Sequence, residues 1–335
     1  MGVDAREFQI SEKGVPVKVP GLVIDSRTVI VTGRWLRVAR IRGEDWLPGE
    51  LVPDPPMIVS KLKEARLGAD LFIFAQPIAN PTPKFSQFHM EWDNVAVIPL
   101  TTYDEWWKGL SQESRRNVRL AQKRGARIEE VPFDDELVRG IKGIYDETPW
   151  RQRRRFWHYG KDLETVKRDN SSYVDRSDFL AAYHVQELIG FLKMVYVGQH
   201  ASIMQILSKN QYFDRRPTSA LIAKAVEVCC RKGMKQLLYC KYVYGRKTHS
   251  SLTEFKRRLG FQALMYPRYY VPLSAKGALA IKLGLHRELL DLLPEALTEP
   301  LMNLRARYYA LLSHRQNRKK RLSVESYGDD SAQSL

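Results

Sequence analysis

Cysteine is scarce in this chain: Cys229, Cys230 and Cys240 are the whole complement. Three thiols cannot form the even, spaced framework of a small secreted protein, and no Cys/His set with zinc spacing accompanies them. A disulfide scaffold is therefore excluded, a reducing compartment is the simpler expectation, and no metal is expected. Long apolar runs are lacking as well. No stretch approaches 18 uncharged apolar residues, so no membrane-spanning helix is expected. The opening residues MGVDARE carry no apolar signal core, and Arg6 stands where a myristoylation signal has Ser or Thr. A soluble, cytoplasmic protein is the expectation. Internal repeats and long low-complexity tracts are missing too. Acidic residues are outnumbered, 38 Asp and Glu against 54 Lys and Arg, for a net charge of +16.

What is present describes a globular protein. Hydrophobic residues make up 44% of the chain and aromatics 10%, which excludes wholesale disorder, and 335 residues are enough for two cores. The positive charge is unevenly placed. The first hundred residues are neutral overall, whereas residues 161–275 carry a net +10. Such an excess favours an anionic partner: nucleic acid, a phosphate-bearing cofactor or an acidic lipid surface.

The pattern divides the chain into expected parts. Alternating apolar residues between Gly and Pro breaks predict short strands over 15–42, a helix over 57–67, and strands at Asp70–Gln76 and Asn94–Leu100. Residues 1–100 thus form a mixed α/β domain. Trp107, Leu110, Val118 and Ala121 predict one long connecting helix over 102–124, stopped by Gly125, with Arg115, Arg119 and Lys123 along another face. Beyond it come a strand at 126–132, helices to about Glu147 and near 162–169, and strands at 178–184, 188–197 and 201–208. A helix at 217–232, a strand at 235–241, a helix at 249–259 and a strand or hairpin at 261–273 complete the domain at 126–275. C-terminal helices near 277–292 and 299–312 and a basic, then polar, disordered tail from 314 are expected to follow.

The order β-α-α-β-β-β-α-β-α-β over 126–273 resembles the GNAT acyltransferase fold, an α/β (α+β) mixed sheet flanked by helices. The segment Ser114-Arg115-Arg116-Asn117-Val118-Arg119-Leu120-Ala121-Gln122-Lys123-Arg124-Gly125 and the phrase Leu252-Thr253-Glu254-Phe255-Lys256-Arg257-Arg258-Leu259-Gly260-Phe261 are similar to motifs of its FemAB-like branch. The resemblance covers about half the chain. It implies acyl-CoA (acetyl-CoA) or aminoacyl-tRNA as donor, an amine as acceptor, and no metal.

The resemblance also points to site residues. Its donor site sits at the amino end of the helix after the fourth strand, where free N–H groups and the helix dipole attract phosphates. The matching stretch here has no glycine. Arg215 and Arg216 supply charge instead, Thr218, Ser219 and Ala220 open the helix behind Pro217, and Gln205 and Ser208 line the cleft from the strand. The loop after the first helix borders the acceptor side, which makes Glu147 and His158 candidates for proton transfer and Trp150, Arg151, Tyr159 and Lys161 candidates for acceptor or phosphate binding. After the fifth strand, Tyr242 and Tyr244 are candidate acids for the leaving group, and Lys241 a candidate phosphate contact. Read from the residues alone, the same stretches also suit a capped helix, an aromatic cluster under a loop, or a non-catalytic module that binds nucleic acid through its arginines. Cys229 and Cys230 read as core.

Overall fold

The computed structural model describes residues 5–12, 15–25, 27–44, 47, 54–78, 81–151, 154–244 and 250–287. The first hundred residues supply the antiparallel strands β1 (Ala5–Glu12), β2 (Val15–Ile24), β3 (Arg27–Thr32) and β4 (Val38–Ile41), the helix α1 (Pro55–Glu64), and the strands β5 (Leu71–Ala75) and β6 (His89–Pro99). Two helices follow, α2 (Tyr103–Gly109) and α3 (Gln112–Lys123). The remainder runs β7 (Ala126–Val131), α4 (Asp135–Tyr145), a short hairpin of β8 (Trp150–Arg151) and β9 (Arg154–Arg155), α5 (Leu163–Asn170), β10 (Ser177–His184), β11 (Glu187–Val197) and β12 (His200–Ser208). It ends with α6 (Pro217–Arg231), β13 (Gln236–Leu238), α7 (Ser251–Arg258), β14 (Gln262–Pro272) and α8 (Ala275–Lys282).

Side-chain caps set most of the helix starts. Asp54, Thr102, Ser111, Asp134, Asp162, Ser250 and Ser274 each accept a hydrogen bond from the backbone N–H three residues on, satisfying donors that the first turn leaves orphaned. The cap at Ser111 corrects one expectation. Residues 102–124 are not one helix, because Leu110 and Ser111 adopt extended backbone and Ser111 starts α3 afresh. The basic face of α3 is also less free than its pattern suggests. Arg115 donates to the Lys108 carbonyl at 3.1 Å, and Arg119 stacks over Trp107. Residues 261–273 form one long strand rather than a hairpin. The helix expected near 277–292 is observed as α8 over Ala275–Lys282, while its remainder beyond Arg287, the helix expected near 299–312 and the tail lie outside the described residues.

A twelve-stranded sheet joins both halves of the chain in the order β1-β2-β3-β4-β5-β14-β6-β13-β12-β11-β10-β7. The halves exchange strands. β14, the last strand of the second half, lies between β5 and β6, while β6, from the first half, lies between β14 and β13. The boundary expected at residue 100 is therefore not a gap in the sheet.

Alternation along β6 sorts the core by face. Ala96 and Ile98 pack with α2, α3 and α6 in one large cluster, and Met90 packs on the same side against the cluster that α1 covers through Ile58 and Leu62. On the opposite face, Val95 and Val97 pack with Leu238 and Tyr266, and α4 and α5 cover Phe179, Ala181 and Phe191. Cys229 is fully buried, as expected of a core residue, and burial pushes its thiol up to about 12. Among the described residues no helix is long and apolar enough to cross a membrane.

Candidate functional site

The sheet splits between β12 and β13. These parallel strands pair only at His200–Ser202 against Gln236–Leu238. From Ile203 onward β12 keeps β11 alone. The chain after Leu238 instead follows β6, with Tyr239 N–H donating to the Ala96 carbonyl at 2.9 Å and Ala96 N–H donating to the Cys240 carbonyl at 2.9 Å. Local features hold the two sides apart. A bulge at Met204 shifts the β11–β12 register between Met194↔Ile203 and Lys193↔Gln205, bending β12. Cys240 adopts a left-handed φ of +48°, and the Asn94 side chain grips Val243 at both its N–H (2.8 Å) and its carbonyl (3.3 Å). The wedge exposes one edge of β12, a row of backbone donors and acceptors with no strand on that side.

The amino end of α6 faces the carboxyl end of β12. Unlike the seven capped helices, α6 has no side-chain cap: Arg216 occupies the N-cap position with φ +53°, and Pro217 opens the first turn. A left-handed arginine costs about 1 kcal/mol that a glycine would not. The expected absence of a glycine is met by forcing an arginine into the conformation a glycine would take. The Arg216 guanidinium lies over Phe213 at 5.2 Å, and its buried Nε has no partner. Arg215 stacks on Tyr212 and donates to the Arg124 carbonyl. Ser208 and Thr218 hydroxyls meet at 3.1 Å, tying the strand end to the helix start. Ser219 and Ala220 N–H groups both turn to the Arg216 carbonyl, and Ala220 itself is buried in the core.

Glu147, the expected base, does something else. Its carboxylate accepts from the N–H groups of Asn210 (2.8 Å) and Gln211 (2.9 Å) and from Arg151 (3.1 Å), so it caps the 3-10 turn Asn210–Arg215 that carries both arginines to α6. This geometry is that of an anchor, not of a proton acceptor. Arg151 braces the same turn, donating to the carbonyls of Ser208 (2.8 Å) and Ile144 (3.0 Å) and stacking over Phe156. Trp150 pairs with Arg155 in the β8–β9 hairpin, and Tyr159 is exposed beyond it.

Beneath the wedge, on the α4/α5 face, lies a polar network. Tyr145, fully buried, donates its hydroxyl to Gln205 (3.1 Å) and accepts from Asn170 (3.3 Å). Burial pushes this phenol up to about 12, so it stays a donor. His158 packs tilted against Tyr145, with 4.5 Å between ring centres, and lies 3.4 Å from the Lys161 ammonium, which pairs with Asp169. Burial and the Lys161 charge bring His158 down to about 4, so its ring is neutral at physiological pH. Lys193, opposite Gln205 in the register, is buried with its ammonium on the Asn170 carbonyl (2.7 Å) and on both oxygens of Ser172. Burial lowers it to about 8.

The far side of the wedge is held by Lys256. It is wholly buried, donates to the Lys241 carbonyl and lies beneath Tyr239 (4.8 Å) and Tyr244 (5.2 Å), with its pKa brought down to about 8 by burial. Burial also pushes the partly exposed Tyr244 phenol well above its usual range, keeping it protonated. Tyr242 accepts a hydrogen bond at its carbonyl from Thr253 (3.4 Å). Lys241 turns toward Asp93 on β6 (3.4 Å), into a buried cluster with Arg268 and Tyr266, and away from a phosphate role at the wedge.

The structure thus brings Gln205, Ser208, Arg215, Arg216, Thr218, Arg151 and Glu147 into one connected group, with His158 and Lys161 joined to it through Tyr145. Tyr242 and Tyr244 belong to the other wall, and no hydrogen bond among the described residues links them to the arginine turn. Tyr145, Asn170, Lys193 and Lys256 join these walls without a motif to mark them. Their signal in the sequence is only a polar residue within an apolar run, as with Lys193 in Gly190-Phe191-Leu192-Lys193-Met194-Val195. A groove of about 500 Å³ between α3, α6 and β7, bordered by Gln122 and Lys224, reaches Ala220 in the first turn of α6.

No protein-family model matches the chain, and no curated protein sequence matches it either. Solved structures share its fold. FemX superposes with a TM-score of 0.53 at 10% identity, over 84% of this chain and 90% of that one. The C-terminal domain (DUF2156) of a putative lysylphosphatidylglycerol synthetase from Agrobacterium fabrum gives 0.52 at 12% identity, over 78% and 87%. The expected mixed sheet flanked by helices is the fold observed, and FemX shares it.

Proposed function

We propose that this chain is an acyltransferase that moves an acyl or aminoacyl group from a phosphate-bearing donor, an acyl-CoA or an aminoacyl-tRNA, to an amine. The observation that carries the reading is the wedge itself: an open β12 edge leads toward the one described α-helix start that lacks a side-chain cap, with Arg216 at its N-cap. An uncapped first turn and two arginines suit a phosphate, and the free strand edge suits the extended arm that joins phosphate to acyl group. The lysylphosphatidylglycerol synthetase named among the similar structures supports an aminoacyl cargo.

The residues then divide the work. Glu147 and Arg151 hold the arginine turn in place, and Arg215 and Arg216 bind the donor phosphate. Gln205, oriented by Tyr145, faces the reacting region with a polar amide. The amine nitrogen forms a bond to the acyl carbon as the bond to the donor sulfur or ribose oxygen breaks. The proton lost by the amine balances the proton gained by the leaving group. Tyr244, a phenol that is protonated at neutral pH, is the candidate donor to that group, and the buried Lys256 ammonium beneath its ring favours negative charge building beside it.

Calorimetric titration with a panel of acyl-CoA thioesters and charged tRNA tests the reading. One donor class binds, and Arg216→Ala weakens it about tenfold, as expected for loss of one charge-assisted contact. No heat from either class overturns the proposal. A purely RNA-binding protein would bind charged and uncharged tRNA alike and release no acylated product from a radiolabelled donor.

A further inference from the structure

His89 and Glu91 alternate on the same face of β6, two residues apart, as strand periodicity requires. The turn after α8 brings His286 to them from 195 residues away. His286 Nε2 lies 2.8 Å and His89 Nε2 3.2 Å from the same carboxylate oxygen, Oε1 of Glu91. The three ligand atoms lie within 4.8 Å of one another. Metal–ligand bonds of about 2.0–2.1 Å in a tetrahedron place neighbouring ligand atoms about 3.3 Å apart. Both histidine–carboxylate separations fall just below that value.

Each imidazole nitrogen facing this oxygen, which only accepts, meets it through a proton or through a shared cation. In the tautomer that puts the proton on His286 Nδ1, which faces the Ala280 carbonyl at 3.5 Å, Nε2 is free to take a cation together with Glu91. The arrangement of an imidazole with its second nitrogen on a backbone carbonyl is the one that orients histidine ligands in metal sites. The surroundings are also built. His286 is 1% exposed, and Tyr270 packs edge-on against it with ring centres 4.6 Å apart. Arg287 also grips Glu91, with Nη2 at 2.9 Å and Nε at 3.1 Å from Oε1 and Nε at 3.3 Å from Oε2, so a metal has to displace it from Oε1.

The geometry points to a divalent transition-metal site, of the kind zinc occupies, formed by His89, Glu91 and His286 and pinning the turn after α8 to β6. On β6 it lies three residues, about 10 Å, from Asn94, which holds the wedge wall, and it shares no residue with the arginine turn. Three protein ligands leave a fourth position for water or a further ligand. The neighbouring Arg287 charge moderates affinity.

The test uses untagged full-length protein, stripped with a chelator and dialysed. Calorimetric titration with zinc chloride is expected to show about one equivalent bound with a micromolar or tighter Kd, and cobalt(II) is expected to give the visible bands of a tetrahedral site. His89→Ala and His286→Ala are each expected to weaken binding at least about tenfold. Wild-type protein that takes up no zinc overturns the proposal without recourse to any variant, leaving a protonated histidine as the cation. A His89→Ala/His286→Ala double variant that binds as tightly as wild type overturns it as well.

Discussion

At the scale of single residues, Arg216 separates stability from function. Its left-handed backbone stores about 1 kcal/mol of strain that glycine relieves, whereas its guanidinium is the proposed phosphate ligand. Arg216→Gly is therefore expected to keep or raise the urea midpoint while donor affinity falls about tenfold. A variant that loses stability and keeps affinity would reverse both assignments. His158 makes a second prediction. Its pKa falls from the usual 6.5 in the unfolded chain to about 4 in the folded one. The unfolded state thus takes up a proton between these values that the native state refuses, and stability present above pH 6.5 is lost as pH falls. The loss between pH 7 and pH 5 is about 2 kcal/mol. Chemical denaturation at the two pH values should show it, and His158→Gln should flatten that slope. Charged and aromatic residues such as Arg216 and His158 were legible as candidates because their chemistry shows in their identity. The anchor role of Glu147 was not, because its partners Asn210 and Gln211 stand more than 60 positions away.

At the scale of elements, α8 docks through Gly277. A Cβ there would lie 1.9 Å from the Asp70 carbonyl oxygen, a backbone atom that cannot swing aside. Asp70 also receives Arg37 N–H (2.9 Å) and the Ser274 hydroxyl (2.8 Å) and pairs with Lys276 (2.8 Å), so the whole start of α8 is tied to β5. Gly277→Ala is expected to lift α8 and cost about 2–3 kcal/mol in chemical denaturation. Most strands and helices could be read from apolar periodicity, since a strand or helix shows its buried face within ten residues. The break at Ser111 escaped that reading because Trp107, Leu110 and Val118 keep helical spacing across it, and only the cap geometry reveals two helices.

At the scale of the molecule, the strand exchange makes the two halves interdependent. Residues 1–100 lack β14 between β5 and β6, and residues 101–335 lack β6 between β13 and β14. The full chain is expected to melt in one calorimetric transition. Each half made alone is expected to lack a cooperative melt, with cooperativity returning when the halves are mixed. A cooperative melt of 101–335 alone near the full-length Tm would show the exchange to be dispensable. The net +10 of residues 161–275 falls on the half that carries the arginine turn, and the buried Lys193 and Lys256 belong to that count without reaching the surface.

The amino-acid sequence by itself determined the fold type, the order of elements and the segment that holds the arginine turn. These depend on local periodicity, capping residues and short motifs, all of which lie within a few turns of chain. Only the tertiary structure decided that the sheet splits after Ser202 and Leu238, that Glu147 anchors a turn, that Lys256 lies under Tyr239 and Tyr244, and that His89, Glu91 and His286 converge. Each of these joins residues distant in the chain. Burial and the pairing of remote strands set their chemistry, and neither quantity is a property of any local stretch.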